Sequence, residues 1–440
     1  MSGMTRREFA ASLAAAGAGI AGRAAEDDGR RVRVAQRPSP FEKGKTISVI
    51  GIGGVRLPLK DKGKLGSQIG PVDYEVGSRY VDYALEHGIN FFDSAWKYHQ
   101  GDSERFFGYA LSKHPRESFT FCTKMSPWGI KTLADAKAMF AEQLKKCRMD
   151  SFDIYQLHSV NRPEDYERTF VKTGIIDYLR EERSKGRIKR LGFSFHGRPD
   201  FLKELLDMGI WEAITILVNG KDWESANRSK ELLAMISARG IPAIGMESLC
   251  GGGLARLKTA AHKLLQTAEP GSTDASWSLR FAASAPGLVT ALTGFTRFEH
   301  LEENVRTFDE RVYRPFTPEQ HRVYAKAIEL EMGGVKGVPC SECAYCMPCP
   351  YGVDIPGTFH VWNNQVKWHG MPDSSDHKAT RRFLESYRRR VPFLHDASRC
   401  IGCGDCGKRC PQWQFDIPTE LAKIDEWVQA ARRREFDMTE

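Results

Sequence analysis

Ile89-Asn90-Phe91-Phe92-Asp93-Ser94-Ala95 opens as a short β-branched and aromatic run and turns polar at Asp93. A buried strand that ends in a charged residue reads this way, because a strand covered on both faces is apolar throughout and only its tip meets solvent or substrate. Working outward, runs of the same kind recur at Ile47-Ser48-Val49-Ile50-Gly51, Phe119-Thr120-Phe121-Cys122, Phe152-Asp153-Ile154-Tyr155 and Arg190-Leu191-Gly192-Phe193. They continue at Ala213-Ile214-Thr215-Ile216, Ala243-Ile244-Gly245-Met246 and Val289-Thr290-Ala291-Leu292. Helical patterns separate them, so the chain is predicted to build parallel βα units. Eight such units predict an α/β fold, a (β/α)8 TIM barrel, whose functional groups lie just past the C-terminal ends of the strands.

The chain has 440 residues, more than one ordinary core organises, which predicts a barrel-sized domain over residues 40–330 and a smaller one over 335–436. Lys and Arg outnumber Asp and Glu by 64 to 56, and the excess is spread along the chain apart from Arg388-Arg389-Arg390 and Arg432-Arg433-Arg434. Such short runs fit solvated helix faces, and without a basic stripe interleaved with exposed aromatics no nucleic-acid partner is expected.

Residues 1–30 read as an address, with a basic disordered tail as the other reading. Thr5-Arg6-Arg7-Glu8-Phe9-Ala10 precedes the apolar, Ala-rich run from Ala11 to Ala21, and Ala24-Ala25 follows. Charge, a short apolar stretch and small residues are the order of a cleavable export signal, and paired arginines before it resemble a twin-arginine (Tat) signal. That resemblance implies passage through the Tat export machinery in the folded state and a periplasmic location. The run is too short and too rich in Ala and Gly for a membrane span, so no stable membrane span is expected.

Of 11 cysteines, eight fall into two runs, Cys340-x2-Cys343-x2-Cys346-x2-Cys349-Pro350 and Cys400-x2-Cys403-x2-Cys406-x3-Cys410-Pro411. A disulfide framework and a pair of zinc sites are both open to such spacings. Tandem triplets, each ending in Cys-Pro, with Gly402, Gly404 and Gly407 letting amides approach sulfur, favour iron–sulfur clusters. The second run matches the bacterial ferredoxin pattern and the first is one residue shorter, so the segment resembles a ferredoxin-like domain with two [4Fe–4S] clusters. The resemblance implies Cys340, Cys343, Cys346 and Cys410 on one cluster and Cys400, Cys403, Cys406 and Cys349 on the other. Cys122, Cys147 and Cys250 are expected to be plain packing, and Trp362 with the helical run Ala379 to Arg390 to pack the clusters against the barrel.

Reading the strand ends gives Asp93 after the second run, Tyr98 five residues on, Lys124 after the third and His158 after the fourth. In order and in local context, with Phe92-Asp93-Ser94-Ala95-x2-Tyr98, Ser103-Glu104, Thr123-Lys124 and Asp153-Ile154-Tyr155-x2-His158, they resemble the tetrad of the aldo-keto reductases. The resemblance covers roughly Ile47 to Val305, and the cysteine-bearing tail resembles ferredoxin-fused members of that family. It implies an oxidoreductase that exchanges a hydride between NADP(H) and a small carbonyl or alcohol substrate. Hydride arriving at a carbonyl carbon leaves an alkoxide that needs a proton, and Tyr98 is the candidate donor. An unperturbed phenol titrates near about 10, so the Lys124 ammonium is useful because it favours the phenolate. Asp93 would hold Lys124, and His158 would hydrogen-bond the carbonyl oxygen.

The same resemblance implies cofactor contacts. Gly294, Thr296 and Arg297 after the eighth strand, with Glu303 and Asn304 in the next helix, would hold the adenosine end, and Arg297 would pair with a 2′-phosphate. Ser194 matches a serine near the carboxamide, although Phe195 stands where an Asn often follows. Asn219 follows Val218 rather than a stacking Tyr, and Thr215 replaces a common Gln. Met246-Glu247-Ser248-Leu249-Cys250-Gly251-Gly252-Gly253 resembles the family's phosphate loop, with Ser248 at the usual proline and a flexible turn as its other reading.

A nicotinamide gives up two electrons as one hydride whereas a cluster passes one, and no flavin motif is present to convert between them. The clusters are therefore expected to be structural or to serve an electron-transfer partner protein. The alternative to an exported carbonyl reductase is an electron-transfer or binding protein on a degenerate barrel without nicotinamide turnover.

Overall fold

The computed structural model describes residues 31–61, 70–224, 227–333, 337–370, 376–410 and 415–437. The export-signal expectation falls in residues 1–30 and lies outside them. The chain divides into two compact units between Ile328 and Glu329.

The first unit is a closed barrel of eight strands in chain order. They are β3 (Ile50–Gly53), β4 (Phe91–Asp93), β5 (Thr120–Met125), β6 (Phe152–Val160), β7 (Ile188–Phe195), β8 (Ala213–Leu217), β9 (Ala243–Met246) and β10 (Leu288–Thr293). Every neighbouring pair is parallel, and β10 closes the ring on β3 with Leu292 opposite Gly51. Gly192 permits the close approach of β7 to β8, because a Cβ there would lie 1.8 Å from the Ala213 carbonyl oxygen.

One strand expectation is corrected. The run Ile47 to Gly51 is not one barrel strand: β1 (Gln36–Pro38) and β2 (Thr46–Ser48) pair as an antiparallel hairpin, and the barrel strand begins at Ile50. Phe41 and Ile47 of this hairpin pack onto Phe91, Cys122, Ile154, Ala213, Ile244 and Leu292, so the hairpin plugs the N-terminal mouth of the barrel.

That apolar layer also fixes which side chains face the barrel interior further along the strands. Side chains two residues apart on a strand share a face. Beyond Phe91, Cys122, Ile154 and Ala213, therefore, Asp93, Lys124, Gln156 and Thr215 point into the same interior, which turns from apolar to polar towards the C-terminal mouth.

In the second unit, the helices Ile355–His369, His377–Arg390 and Ile417–Asp437 share a core with Val353, Leu384, Tyr387 and Val428. Trp362 lies in this core, its ring 6.2 Å from Phe383 and 6.3 Å from Trp427. The buried Asp396 carboxylate accepts from Arg432 at 2.6 Å. Among the described residues no helix is long and apolar enough to cross a membrane.

Candidate active site and cysteine sites

Asp93 is the last residue of β4, while Lys124 and His158 lie within β5 and β6, so all three sit inside the barrel mouth and are buried. Lys124 Nζ donates to Asp93 Oδ1 at 2.6 Å and Oδ2 at 2.5 Å, and to the Ser94 carbonyl at 2.9 Å. Burial pushes the Asp93 carboxyl up, and the adjoining Lys124 ammonium pulls it back. Beyond β4 the chain passes Tyr98 and then turns through His99, Gln100 and Gly101, all of which have positive φ. Lys124 Nζ lies 5.1 Å from the Tyr98 ring centroid, and the Tyr98 and His158 rings meet edge-on at 5.5 Å. Trp128 closes the other side of His158, also at 5.5 Å.

Burial, with the Lys124, His196 and Lys97 charges behind it, holds His158 well below the ordinary histidine pKa. It is therefore a neutral imidazole near pH 7. Directly after it β6 slips register at Ser159, which has φ 60. A bulge beside a site re-aims the side chain next to it. The Ser159 amide donates to Ser194 Oγ at 2.8 Å, so Ser194 pins this bulge and keeps its own hydroxyl hydrogen for another acceptor.

A buried polar layer beneath the tetrad has no counterpart among the sequence expectations. Glu104 accepts from Thr123 Oγ1 at 2.7 Å and Gln143 Nε2 at 2.5 Å, and Lys146 Nζ lies 3.7 Å away. Gln143 also donates to the Lys124 carbonyl at 3.0 Å and accepts from Tyr155. These contacts clamp the backbone that carries Lys124. Ser103-Glu104 and Thr123 stand out in the sequence only as local context; Gln143 and Lys146 come from a distant helix and give no local signal.

The residues proposed for nucleotide are placed less uniformly. Arg297 is exposed at the N-terminus of the helix Phe298–Thr307, whose first amides it leaves without a side-chain cap. Gly294 packs against Arg56, with a Cβ position 2.9 Å from Arg56 Cβ, and Thr296 is half-buried. Glu303 accepts from Thr273 Oγ1, and Asn304 Nδ2 donates to Thr293 Oγ1 at 3.3 Å. Asn219 is buried and donates to Asp222 at 2.7 Å and to the Glu247 carbonyl at 3.1 Å. In the loop after β9, Ser248 Oγ is buried without a hydrogen-bond partner, and Gly251 and Gly252 have positive φ. An orphaned hydroxyl beside open, left-handed backbone fits a bound phosphate oxygen.

In the second unit the two cysteine runs wrap alike. The two residues that follow each triplet's first and second cysteines at matching positions are left-handed, Glu342 and Ala344 at φ 57 in one run, Gly402 and Gly404 at φ 74 and 75 in the other. Cys349, Cys400, Cys403 and Cys406 line one cavity together with Tyr351, Ile401 and Arg409. Cys340 and Cys346 lie within electrostatic reach of Cys343 and Cys410, and Cys346 also of Cys406, while burial pushes both thiols up. None of the eleven cysteines is in a disulfide. Among the described residues no group of three or more His, Cys, Asp or Glu is placed to hold a single metal ion. Cubane ligands sit at the corners of a larger body, and eight soft thiols, four of them around one cavity, fit such bodies. Cys122 and Cys147 are buried and Cys250 is half-buried.

Comparison with known proteins agrees with this architecture. Residues 339–415 match the model of the 4Fe-4S dicluster domain. The chain is 25% identical over 257 residues to an uncharacterized oxidoreductase, YqkF, of Bacillus subtilis, covering 52% of this chain and 81% of that protein. It is 23% identical over 288 residues to L-galactose dehydrogenase of Arabidopsis thaliana, covering 61% and 86%. Among solved structures, the aldo-keto reductase AKR11C1 of Bacillus halodurans in its holo form superposes with a TM-score of 0.54 at 22% identity, covering 68% of this chain and 96% of that one. An aldo-keto reductase of Klebsiella pneumoniae in complex with NADPH gives 0.52 at 18% identity, covering 68% and 95%. At these identities the solved structures speak for the fold. With residues 49–322 matching the family model across the whole barrel, and an iron–sulfur domain after it in the sequence, this chain belongs to the aldo/keto reductase family.

Proposed function

We propose that the barrel interconverts a small carbonyl compound and its alcohol with NADP(H), using Tyr98 as general acid and base, and that the tail of this exported, periplasmic protein holds two [4Fe–4S] clusters. The observation that carries the reading is the buried grouping of Asp93, Lys124, Tyr98 and His158 at one mouth of the barrel. NADPH, when bound, supplies the hydride. His158, neutral because it is buried, donates one hydrogen bond to the carbonyl oxygen without adding charge. Tyr98 delivers its proton to that oxygen as charge develops there, and the Lys124 ammonium steadies the phenolate left behind. Asp93 keeps Lys124 charged and in place. In the alcohol direction the phenolate takes the proton back.

For the cofactor, Arg297 would meet a 2′-phosphate, Ser248 and the Gly251–Gly252 backbone the pyrophosphate, and Ser194 the carboxamide. Glu303, Asn304, Asn219, Gly294 and Thr296 would line the rest. That a similar structure was solved with NADPH supports this choice. In the tail, Cys340, Cys343, Cys346 and Cys410 would hold one cluster and Cys349, Cys400, Cys403 and Cys406 the other. Clusters, when bound, pass electrons singly, which favours exchange with a partner protein over exchange with a hydride donor. Passage through the Tat machinery in the folded state would let iron and nucleotide be loaded first, and rests on the Arg6-Arg7 run.

The test is anaerobic purification followed by addition of NADPH with and without simple aldehydes. Aldehyde-dependent consumption that vanishes in Tyr98→Phe is expected. A second reading, a binding or electron-transfer protein on a barrel without nicotinamide turnover, is favoured by the internal engagement of Asn219, Glu303 and Asn304. Unchanged NADPH and no retained nucleotide would select it.

A further inference from the structure

Large apolar side chains exposed to solvent are few among the described residues, and half of them fall together on the second unit: Tyr351, Phe393, Leu394 and Ile401. Phe393 is 79% exposed and Leu394 66%, on a short turn that protrudes after Pro392. Hydrogen bonds join these residues into one surface. The Asp354 amide donates to the His395 carbonyl at 2.9 Å, and the His395 ring pairs with the Gly352 carbonyl. Arg399 Nε donates to the Tyr351 carbonyl at 3.1 Å, and Tyr351 and Ile401 line the cavity that holds Cys349 and the exposed Cys403.

The rim of this surface is basic. Nearby carboxylates are already taken, Asp405 by Lys408 at 2.8 Å and Asp354 by Arg390 at 3.8 Å. Arg399 is exposed with no carboxylate partner among the described residues, and Arg409 lines the same cavity, its guanidinium donating to the Met347 and Pro348 carbonyls. A contiguous apolar patch on a folded unit marks an interaction site, and aromatic residues beside arginine are the composition of binding hot spots. A basic rim steers a partner of opposite charge, and small interfaces of this kind are typical of short-lived redox encounters.

We propose that Tyr351, Phe393, Leu394, Ile401 and Arg399 form the docking surface for an acidic-faced electron-carrier protein, seated beside Cys403. This rests on the reading that the tail holds iron–sulfur clusters. One electron passes between carrier and iron, oxidising one by a single electron and reducing the other, with no bond or proton exchanged.

The full chain, purified without oxygen and shown to contain iron and sulfide, is titrated calorimetrically with an acidic flavodoxin held oxidised, and in parallel with basic cytochrome c and with phosphatidylglycerol–phosphatidylcholine vesicles. The flavodoxin is expected to bind, and its Kd to rise at least about tenfold in Phe393→Ser/Leu394→Ser, in Arg399→Glu and at high salt, with iron content unchanged. No binding of flavodoxin to the iron-replete chain, affinity unmoved by these substitutions, or equal binding of cytochrome c would overturn the docking proposal. So would vesicle binding that the Phe393→Ser/Leu394→Ser variant abolishes, since the turn would then be a membrane contact. A chain without iron and sulfide overturns the cluster reading itself, and this proposal with it.

Discussion

The Lys124 ammonium sits 2.5 and 2.6 Å from the two carboxylate oxygens of Asp93, with both side chains shut away from solvent. A pair taken out of water adds little net stability, but removing one partner strands the other charge. Asp93→Asn is therefore expected to cost about 3–5 kcal/mol in urea unfolding as well as activity. Asp93→Leu/Lys124→Met is expected to recover most of that stability and none of the activity, which separates the structural role of the pair from its chemical one.

Acid should destabilise the barrel through its buried histidines. Burial holds His99 and His196 down to about 4 and His158 well below its ordinary value. The unfolded chain then takes up protons first as pH falls below about 6.5, so this contribution is complete above that pH and is lost on the way down to pH 4. The loss is on the order of 3 kcal/mol for each of His99 and His196 by pH 4. Unfolding free energies at pH 7, 5.5 and 4.5 check the trend, and His196→Gln should flatten it.

Cys349 is the cysteine that the shortened first run supplies to the cavity of Cys400, Cys403 and Cys406. Cys349→Ala should lower bound iron from about eight to about four atoms per chain and leave one cluster signal in the EPR spectrum of the reduced protein. Unchanged iron would contradict the grouping.

Gly192→Ala should be among the most damaging small substitutions in the barrel. The added methyl meets backbone rather than a movable side chain, at 1.8 Å from the Ala213 oxygen, so β7 and β8 must part. A loss of at least about 3 kcal/mol is expected, read as a lower denaturation midpoint.

Much of the barrel was legible because buried parallel strands announce themselves as apolar runs. Ala243 to Met246 matches the observed strand, β4, β5, β7, β8 and β10 agree within three residues at either end, and β6 runs five residues beyond Tyr155. The first strand is misplaced because Ile47, Val49 and Ile50 read as one β-branched run, and nothing in that run signals that Val49 breaks away to donate to the Ala35 carbonyl. Asp93, Tyr98, Lys124 and His158 draw attention in the sequence through their chain order and local contexts; Asp93 ends β4, Lys124 and His158 lie within β5 and β6, and Tyr98 stands beyond β4. The Glu104–Gln143–Lys146 layer draws none, since it joins an element after β4 to the helix after β5, and polar partners distant in sequence leave no local mark. The nucleotide residues were read from resemblance, and sequence carries no trace of Glu303 turning to Thr273 or Asn304 to Thr293.

The cysteine groupings also bear on how the tail endures damage. In the proposed groupings Cys410 would join the first run's triplet and Cys349 the second's, so both clusters would fasten the two ends of the same intervening chain. Closing a loop already closed removes little further freedom from the unfolded chain. The clusters would thus act as duplicate clasps. Oxidative loss of either should barely loosen the helices between them, and only the loss of both should let that span open.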